Sequence, residues 1–200
     1  MARTIAKDHD EKRGAILGTA TRFFAQVGYD RASMSQLAVE CGVSKALIYH
    51  YYDSKETILF DILSSHLNSL LEVVESVNAE KSDPDKHLHA LVMALLESYR
   101  GADFEHRLQL ESMGAMTAQQ QKYLSDIQKQ IIRIFSDTIA EVRPAFFVEN
   151  RDQLFPATMS LFAMLNWFYQ WHRPHSGISR SGYASMATQI FLGGLDNLKA

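Results

Sequence analysis

Apolar positions along this chain recur at helical spacing, with no sustained alternation of the kind a strand needs. Ile16, Ala20, Phe23, Phe24 and Val27 form one stripe that Gly28 ends, which predicts a helix from about Asp10 to Val27; residues 1–9 read as a mobile arm before it. Ser54 caps a long helix whose stripe runs from Ile58 and Leu59 through Leu63, Leu67 and Leu70 to Val77. Asp83-Pro84 opens the next, with Leu88, Leu91, Val92, Leu95, Leu96 and Tyr99 in period and Gly101 at its end. A short helix follows over Phe104 to Met116, then a longer one over Ala118 to Val142, with Tyr123, Leu124, Ile127, Ile131, Ile134 and Phe135 inward. Arg143-Pro144 breaks that helix, and 145–150 reads as a connection. Residues 151–171 are apolar nearly all round, so this helix is expected to be buried on every side, in part by a partner chain. After a loop over 172–182, the last helix (183–198) carries Met186, Ile190 and Phe191 inward, and Gly193-Gly194 where helices could cross closely. The expected fold is all-α, with nine or so helices.

The stretch from Ser33 to Lys55 has a different rhythm: two short helices around a tight turn. Ser33 caps the first, whose apolar face is Met34, Leu37 and Ala38. Gly42 ends it, where a left-handed residue is tolerated by glycine. Ser44 caps the second, which buries Leu47 and Ile48, and the small side chains of Ala38 and Cys41 allow close approach. That is the geometry of a helix-turn-helix, in which the second helix enters the DNA major groove. Its outward residues, Ser44, Lys45, Tyr49 and His50, are all hydrogen-bond donors. Ser33, Ser44, Tyr49 and Lys55 are expected at phosphates, the last beside free amides at a helix start; Lys45 and His50 are expected at base edges.

Gly28-Tyr29, Ser33-Met34, Leu37-Ala38, Gly42-Val43-Ser44, Ile48-Tyr49, Tyr51-Tyr52 and Ser54-Lys55-Glu56 resemble the N-terminal signature of the TetR family of repressors over residues 12–63. Two positions depart from the pattern: Ala46 stands where glycine is usual, and Tyr52 where phenylalanine is usual. Ala46 belongs to the expected DNA-facing set, with its methyl limiting backbone approach. The resemblance implies a homodimeric, all-helical, ligand-responsive DNA-binding protein, with a helix-turn-helix domain over 1–54 and a ligand-binding and dimerisation domain over 55–200.

Composition narrows the alternatives. The net charge is −3, against generic coating of nucleic acid. Residues 1–60 hold eight Lys/Arg against seven Asp/Glu, whereas 61–200 hold twelve against sixteen, so the N-terminal part is the one suited to DNA. Arg3, Lys7, Lys12 and Arg13 add to Lys45 and Lys55 there. The single cysteine, Cys41, suits a reducing cytoplasm and is expected to pack between helices. No apolar run approaches the ~18 residues of a membrane helix, and the charged N-terminus is unlike a signal peptide, so no membrane partner is expected. His87 and His89 fall on different faces of one helix, and His172 and His175 flank Pro174 without a third ligand in sequence, so neither pair makes a zinc site. Signatures of catalysis are missing, and no enzyme activity, metal or cofactor is expected.

The C-terminal helices are rich in Met and aromatic residues, which suit an apolar ligand. Tyr99, Phe104, Met113, Asn166 and Trp167 are the expected ligand contacts, with Arg100, His106, Arg107, Gln109 and Glu111 as further polar candidates. LNWFYQWHRP followed by GIS, over 165–179, resembles the corresponding end in TetR-type regulators of fatty-acid, steroid and aromatic-acid catabolism. That likeness implies an acyl-CoA or a fatty or aromatic acid as effector, with Arg173 near the CoA phosphates. The sequence reading is therefore a cytoplasmic repressor released from a palindromic operator by a small apolar-tailed ligand. The other class is a helical small-molecule-binding protein or enzyme whose N-terminal three-helix unit is only structural; operator binding separates the two.

Overall fold

The computed structural model describes residues 2–80, 83–173 and 177–198, with side chains from His9 onward. The helices among them are α1 (Ala2–Val27), α2 (Met34–Glu40), α3 (Lys45–Tyr51), α4 (Lys55–Ala79), α5 (Pro84–Ser98), α6 (Asp103–Ser112), α7 (Ala118–Val142), α8 (Pro144–Glu149), α9 (Arg151–Trp171) and α10 (Arg180–Asp196). Single 3-10 turns stand at Tyr29–Arg31 and Met113–Ala115, and no strand occurs among the described residues. The all-α expectation holds. Two compact units form, one from Met1–Leu67 with Ala102–Ser125, the other from Asn68–Gly101 with Asp126–Ala200.

In the first unit α2 packs on both α1 and α3, and α6 packs on α1. Phe24, Leu37, Ile48, Ile58, Leu59 and Leu63 are fully buried there, and the Phe24 and Tyr29 rings meet edge to face at 5.5 Å. The α2–α3 corner is a Schellman turn. The Val43 amide donates to the Ala38 carbonyl and the Gly42 amide to the Val39 carbonyl, each at 3.0 Å, and Gly42 has φ +65°. A Cβ on Gly42 would meet no atom within 4 Å, so backbone conformation, not space, demands glycine here.

In the second unit α10 packs along α5, and α9 packs on α8 and α10. Phe135 and Phe162 approach at 5.0 Å, Phe168 stacks on Tyr183 at 4.7 Å, and the Tyr183 hydroxyl donates to the Met164 carbonyl at 2.9 Å.

Several expectations need correction. The first helix extends back to Ala2 instead of starting near Asp10, so 2–9 is helical; the side chains of Arg3 and Lys7 lie outside the described residues. Residues 145–150 are mostly the short α8, because Pro144 occupies a first-turn position, where a missing N–H costs nothing. The last helix starts at Arg180, earlier than expected, because the Ser179 hydroxyl accepts from the Gly182 amide at 3.0 Å. Helix α4 is long and apolar enough to cross a membrane by length and composition, although Asp61, His66, Asn68 and Glu72 interrupt its apolar run; Ile58, Leu59, Leu63, Leu67 and Val74 are buried in the fold.

Within one chain helix α9 is buried on one side: Phe155 is 61% exposed, Trp167 62% and Trp171 44%, on the side that the sequence reading left to a partner chain. On α10, Met186 and Ile190 face outward, as does Tyr123 on α7. Periodicity had placed these three inward, since a stripe of apolar residues reads the same whether it meets its own core or another surface.

Candidate nucleic-acid interface and effector region

Two capped helices build the candidate interface. Ser33 and Gln36 form a reciprocal capping box: the Ser33 hydroxyl accepts from the Gln36 amide at 3.3 Å, and the Ser33 amide donates to Gln36 Oε1 at 3.0 Å. The Ser33 hydroxyl also donates to Gln36 Oε1 at 2.8 Å, so its proton is turned toward its own helix. The Ser-x-x-Gln spacing was readable in the sequence and was missed beyond the cap itself. At α3 the Ser44 hydroxyl accepts from the Leu47 amide at 3.1 Å, which leaves its own proton available.

Helix α3 divides sharply. Ile48 is fully buried, while Ser44, Lys45, Ala46, Tyr49 and His50 are all exposed on the other side. The Lys45 ammonium lies 5.7 Å from the Tyr49 ring centroid, one turn on, a cation–π pair that keeps both side chains together at the surface. The His50 ring meets the Tyr51 ring edge-on at 5.2 Å, and His9 of α1 lies 4.7 Å from Tyr51. His9 was missed because a lone histidine near a chain start carries no pattern.

Lys55 is placed differently from the expectation. Its ammonium donates to the carbonyls of Tyr29, Asp30 and Ala32 at 3.1, 3.3 and 3.3 Å and sits 4.4 Å from the Tyr29 ring centroid. An ammonium has three donors, and all three are used on backbone. Lys55 here ties the start of α4 to the turn after α1 and has no donor left for a phosphate. The partners lie more than twenty residues back, beyond any local motif.

At the other end of α3, Tyr52 is 4% exposed and its hydroxyl donates to Asp61 Oδ2 at 2.6 Å. The same carboxylate is paired with the Arg13 guanidinium. Burial and the Asp61 hydrogen bond raise the Tyr52 hydroxyl's pKa, as expected of a phenol that donates to a carboxylate. Cys41 is partly buried and its thiol is pushed up by burial, which agrees with packing and not with reactivity.

The five expected ligand contacts fall into two groups. Tyr99, Asn166 and Trp167 belong to the second unit, Phe104 and Met113 to the first. The Tyr99 hydroxyl, in a buried side chain, donates to Asn166 Oδ1 at 3.0 Å. Trp167 is not beside them in the interior; it shares the exposed face of α9 with Phe155 and Met159. Phe104 is 36% exposed. In the first unit, His106 and Gln109 on α6 bring buried polar atoms inside, joined by Glu105 of the same helix and His66 of α4. Burial, reinforced by neighbouring His106, lowers the pKa of His66 to about 4, and burial raises that of Glu105. His66 and Glu105 were missed because one sat in an apolar stripe and the other on an apparently solvated face. Arg100, in the turn after α5, pairs with Glu97, Arg107 pairs with Glu111 on α6, and exposed Arg173 donates to the His172 carbonyl at 3.2 Å.

His87 bonds to Asn78 at 3.2 Å and His89 to Ser185 at 3.1 Å. Among the described residues no group of three or more His, Cys, Asp or Glu could hold a metal; His175 lies outside them.

Residues 16–62 match the bacterial regulatory proteins of the tetR family, and residues 81–195 match the tetracyclin repressor-like C-terminal domain. A TetR-family transcriptional regulator from Bordetella parapertussis 12822 superposes with a TM-score of 0.86 at 33% identity, over 94% of this chain and 97% of that one. AibR, solved in complex with isovaleryl coenzyme A and operator DNA, shares the fold with a TM-score of 0.78 at 23% identity, over 90% and 97% of the two chains. The transcriptional activator FasR of Mycolicibacterium smegmatis is 30% identical over 103 residues, which span 52% of this chain and 47% of FasR. With both its N-terminal and its C-terminal regions matched, this chain belongs to the TetR family of bacterial regulatory proteins.

Proposed function

We propose that this protein is a cytoplasmic, one-component transcriptional regulator, a repressor that leaves a palindromic operator when a small apolar-tailed ligand binds. The observation that carries the reading is the division of α3: one fully buried isoleucine anchors the helix, and Ser44, Lys45, Ala46, Tyr49 and His50 stand exposed together opposite it. Ser44 and Tyr49 take phosphates, and Lys45 and His50 take base edges. Ala46 lies against the DNA between them. Ser33 holds the Gln36 amide at the start of α2, and Lys55 holds the carbonyls of the turn before it.

Operator binding takes two copies. The exposed apolar residues of α9 and α10, among them Phe155, Met159, Trp167, Met186 and Ile190, form the surface through which a homodimer pairs. The effector is an acyl-CoA or a related fatty or aromatic acid, the class supported by AibR's isovaleryl coenzyme A. Within the second unit the buried Tyr99–Asn166 pair is the polar handle for it. A coupling of ~1–3 kcal/mol between the two ligands lowers DNA affinity roughly 5–150-fold.

The test is selection of bound sequences from random DNA, repeated with acyl-CoAs, fatty acids and aromatic acids present. An inverted repeat with half-sites about one helical turn apart is expected, as is its release by one ligand class. No enriched sequence refutes the regulator; enrichment indifferent to every ligand refutes the effector. Placing the operator before a reporter separates repression from FasR-like activation.

A further inference from the structure

Helix α3 has seven residues, too few to hold its own shape in water. Its cap at Ser44 is local, bonding only to Leu47 of the same helix. Ile48 and the packing of α2 against α3 hold its buried face. Its polar side-chain links to α1 and α4 are at its far end. Tyr52, its C-cap residue, donates its hydroxyl to Asp61 of α4 at 2.6 Å, and Arg13 of α1 pairs with the same oxygen and lies 5.8 Å from the Tyr52 ring centroid. One carboxylate thus joins three helices. Asp61 stands one turn past the buried Ile58, so it is carried on a stretch of α4 that is itself fixed in the core.

We propose that Asp61 is a positioning residue for the recognition helix, acting through Tyr52 and Arg13. This rests on the DNA-binding reading and adds to it the group that sets the helix angle. Contacts to base edges weaken steeply when donor and acceptor move apart by a few tenths of an ångström, whereas a phosphate tolerates such a shift. A loosened α3 therefore loses discrimination before it loses affinity for DNA in general. The hydroxyl-to-carboxylate bond, charge-assisted and partly buried, is the strong member of the set. Arg13 is the more exposed partner and contributes by holding the carboxylate turned toward Tyr52.

The variants are Tyr52→Phe, Asp61→Asn and the pair together, each first confirmed helical and folded at the assay temperature. Tyr52→Phe removes one oxygen and keeps the buried ring, so it folds even if Asp61→Asn does not. Two measurements are made on full-length protein. In the first, affinity for the selected operator is compared with affinity for a scrambled duplex at the same salt. Each single variant is expected to lose about tenfold on the operator and less than twofold on the scrambled duplex. The pair should lose less than the product of the two single losses, because both substitutions weaken the one Tyr52–Asp61 bond. In the second, amide hydrogen exchange over 46–52 is expected to speed up about tenfold in either variant, with exchange over 58–63 unchanged. Operator affinity within twofold of the parent in Tyr52→Phe, equal losses on both duplexes, multiplying losses in the pair, or unchanged exchange over 46–52 each overturn the proposal. If the parent selects no DNA sequence, the regulator reading fails, and the exchange measurement still decides whether Asp61 holds the helix.

Discussion

Acidification should unfold this protein partly through His66. The side chain is buried in the first unit, and burial, with His106 nearby, holds its pKa at about 4 against an ordinary 6.5. Below pH 6.5 the unfolded chain takes up a proton that the folded chain refuses, so stability falls as pH falls, and the loss is complete near pH 4. The interval between the two values corresponds to roughly 3 kcal/mol in full, and to about 2 kcal/mol at pH 5. Glu105 works in the opposite sense: its raised carboxyl binds a proton more readily in the folded state, so that group favours folding as pH drops. The two are separated by comparing the parent with His66→Gln, in which Glu105 is kept. Urea unfolding at pH 7.5 and pH 5, at one protein concentration, should show the parent losing about 2 kcal/mol more than the variant across that interval. Equal losses would refute the reasoning, since the buried imidazole would then carry no proton linkage.

Ile190→Glu, placing a charge on the exposed apolar face of α10, should convert a dimer into a monomer by sedimentation and abolish operator binding without changing helix content. Lys55→Met should lower stability by on the order of 2 kcal/mol, since three carbonyl bonds are lost, while leaving the salt dependence of DNA binding unchanged. A phosphate ligand at that position would instead reduce the slope of log affinity against log salt by about 1. Lys45→Ala and His50→Ala should relax the base preference recovered from random DNA, with Tyr49→Ala weakening all sequences alike.

The helix-turn-helix was legible because everything that defines it is local. A serine cap, an apolar pair and a glycine one position past a helix end act over a few residues, and all of them lie within Ser33 to Ile48. What escaped was whatever depended on distant chain. Lys55 finds its acceptors at Tyr29, Asp30 and Ala32, and no local pattern distinguishes that lysine from one left free for a phosphate. Nothing in the local pattern marks Asp61, whose partners Arg13 and Tyr52 come from earlier elements. Pro144 both stops α7 and opens α8, because proline ends one helix and begins another for the same reason, its missing N–H; the sequence pattern marks only the stop. The segment around α6 gave no sign that it would pack on α1, since amphipathic spacing records that a face is covered but not by what.

The chain has two tryptophans, and both stand at the surface of α9, Trp167 at 62% and Trp171 at 44% exposure. Its natural fluorophores therefore face outward and not the interior. With two copies paired through this face as proposed, an emission change on adding a fatty acid would report first on how tightly they hold each other, and only indirectly on ligand in either of them. Titrations read this way will drift with protein concentration. A dye placed near Tyr99, or heat measured directly, would see the small molecule itself, and the intrinsic signal becomes the better gauge of assembly.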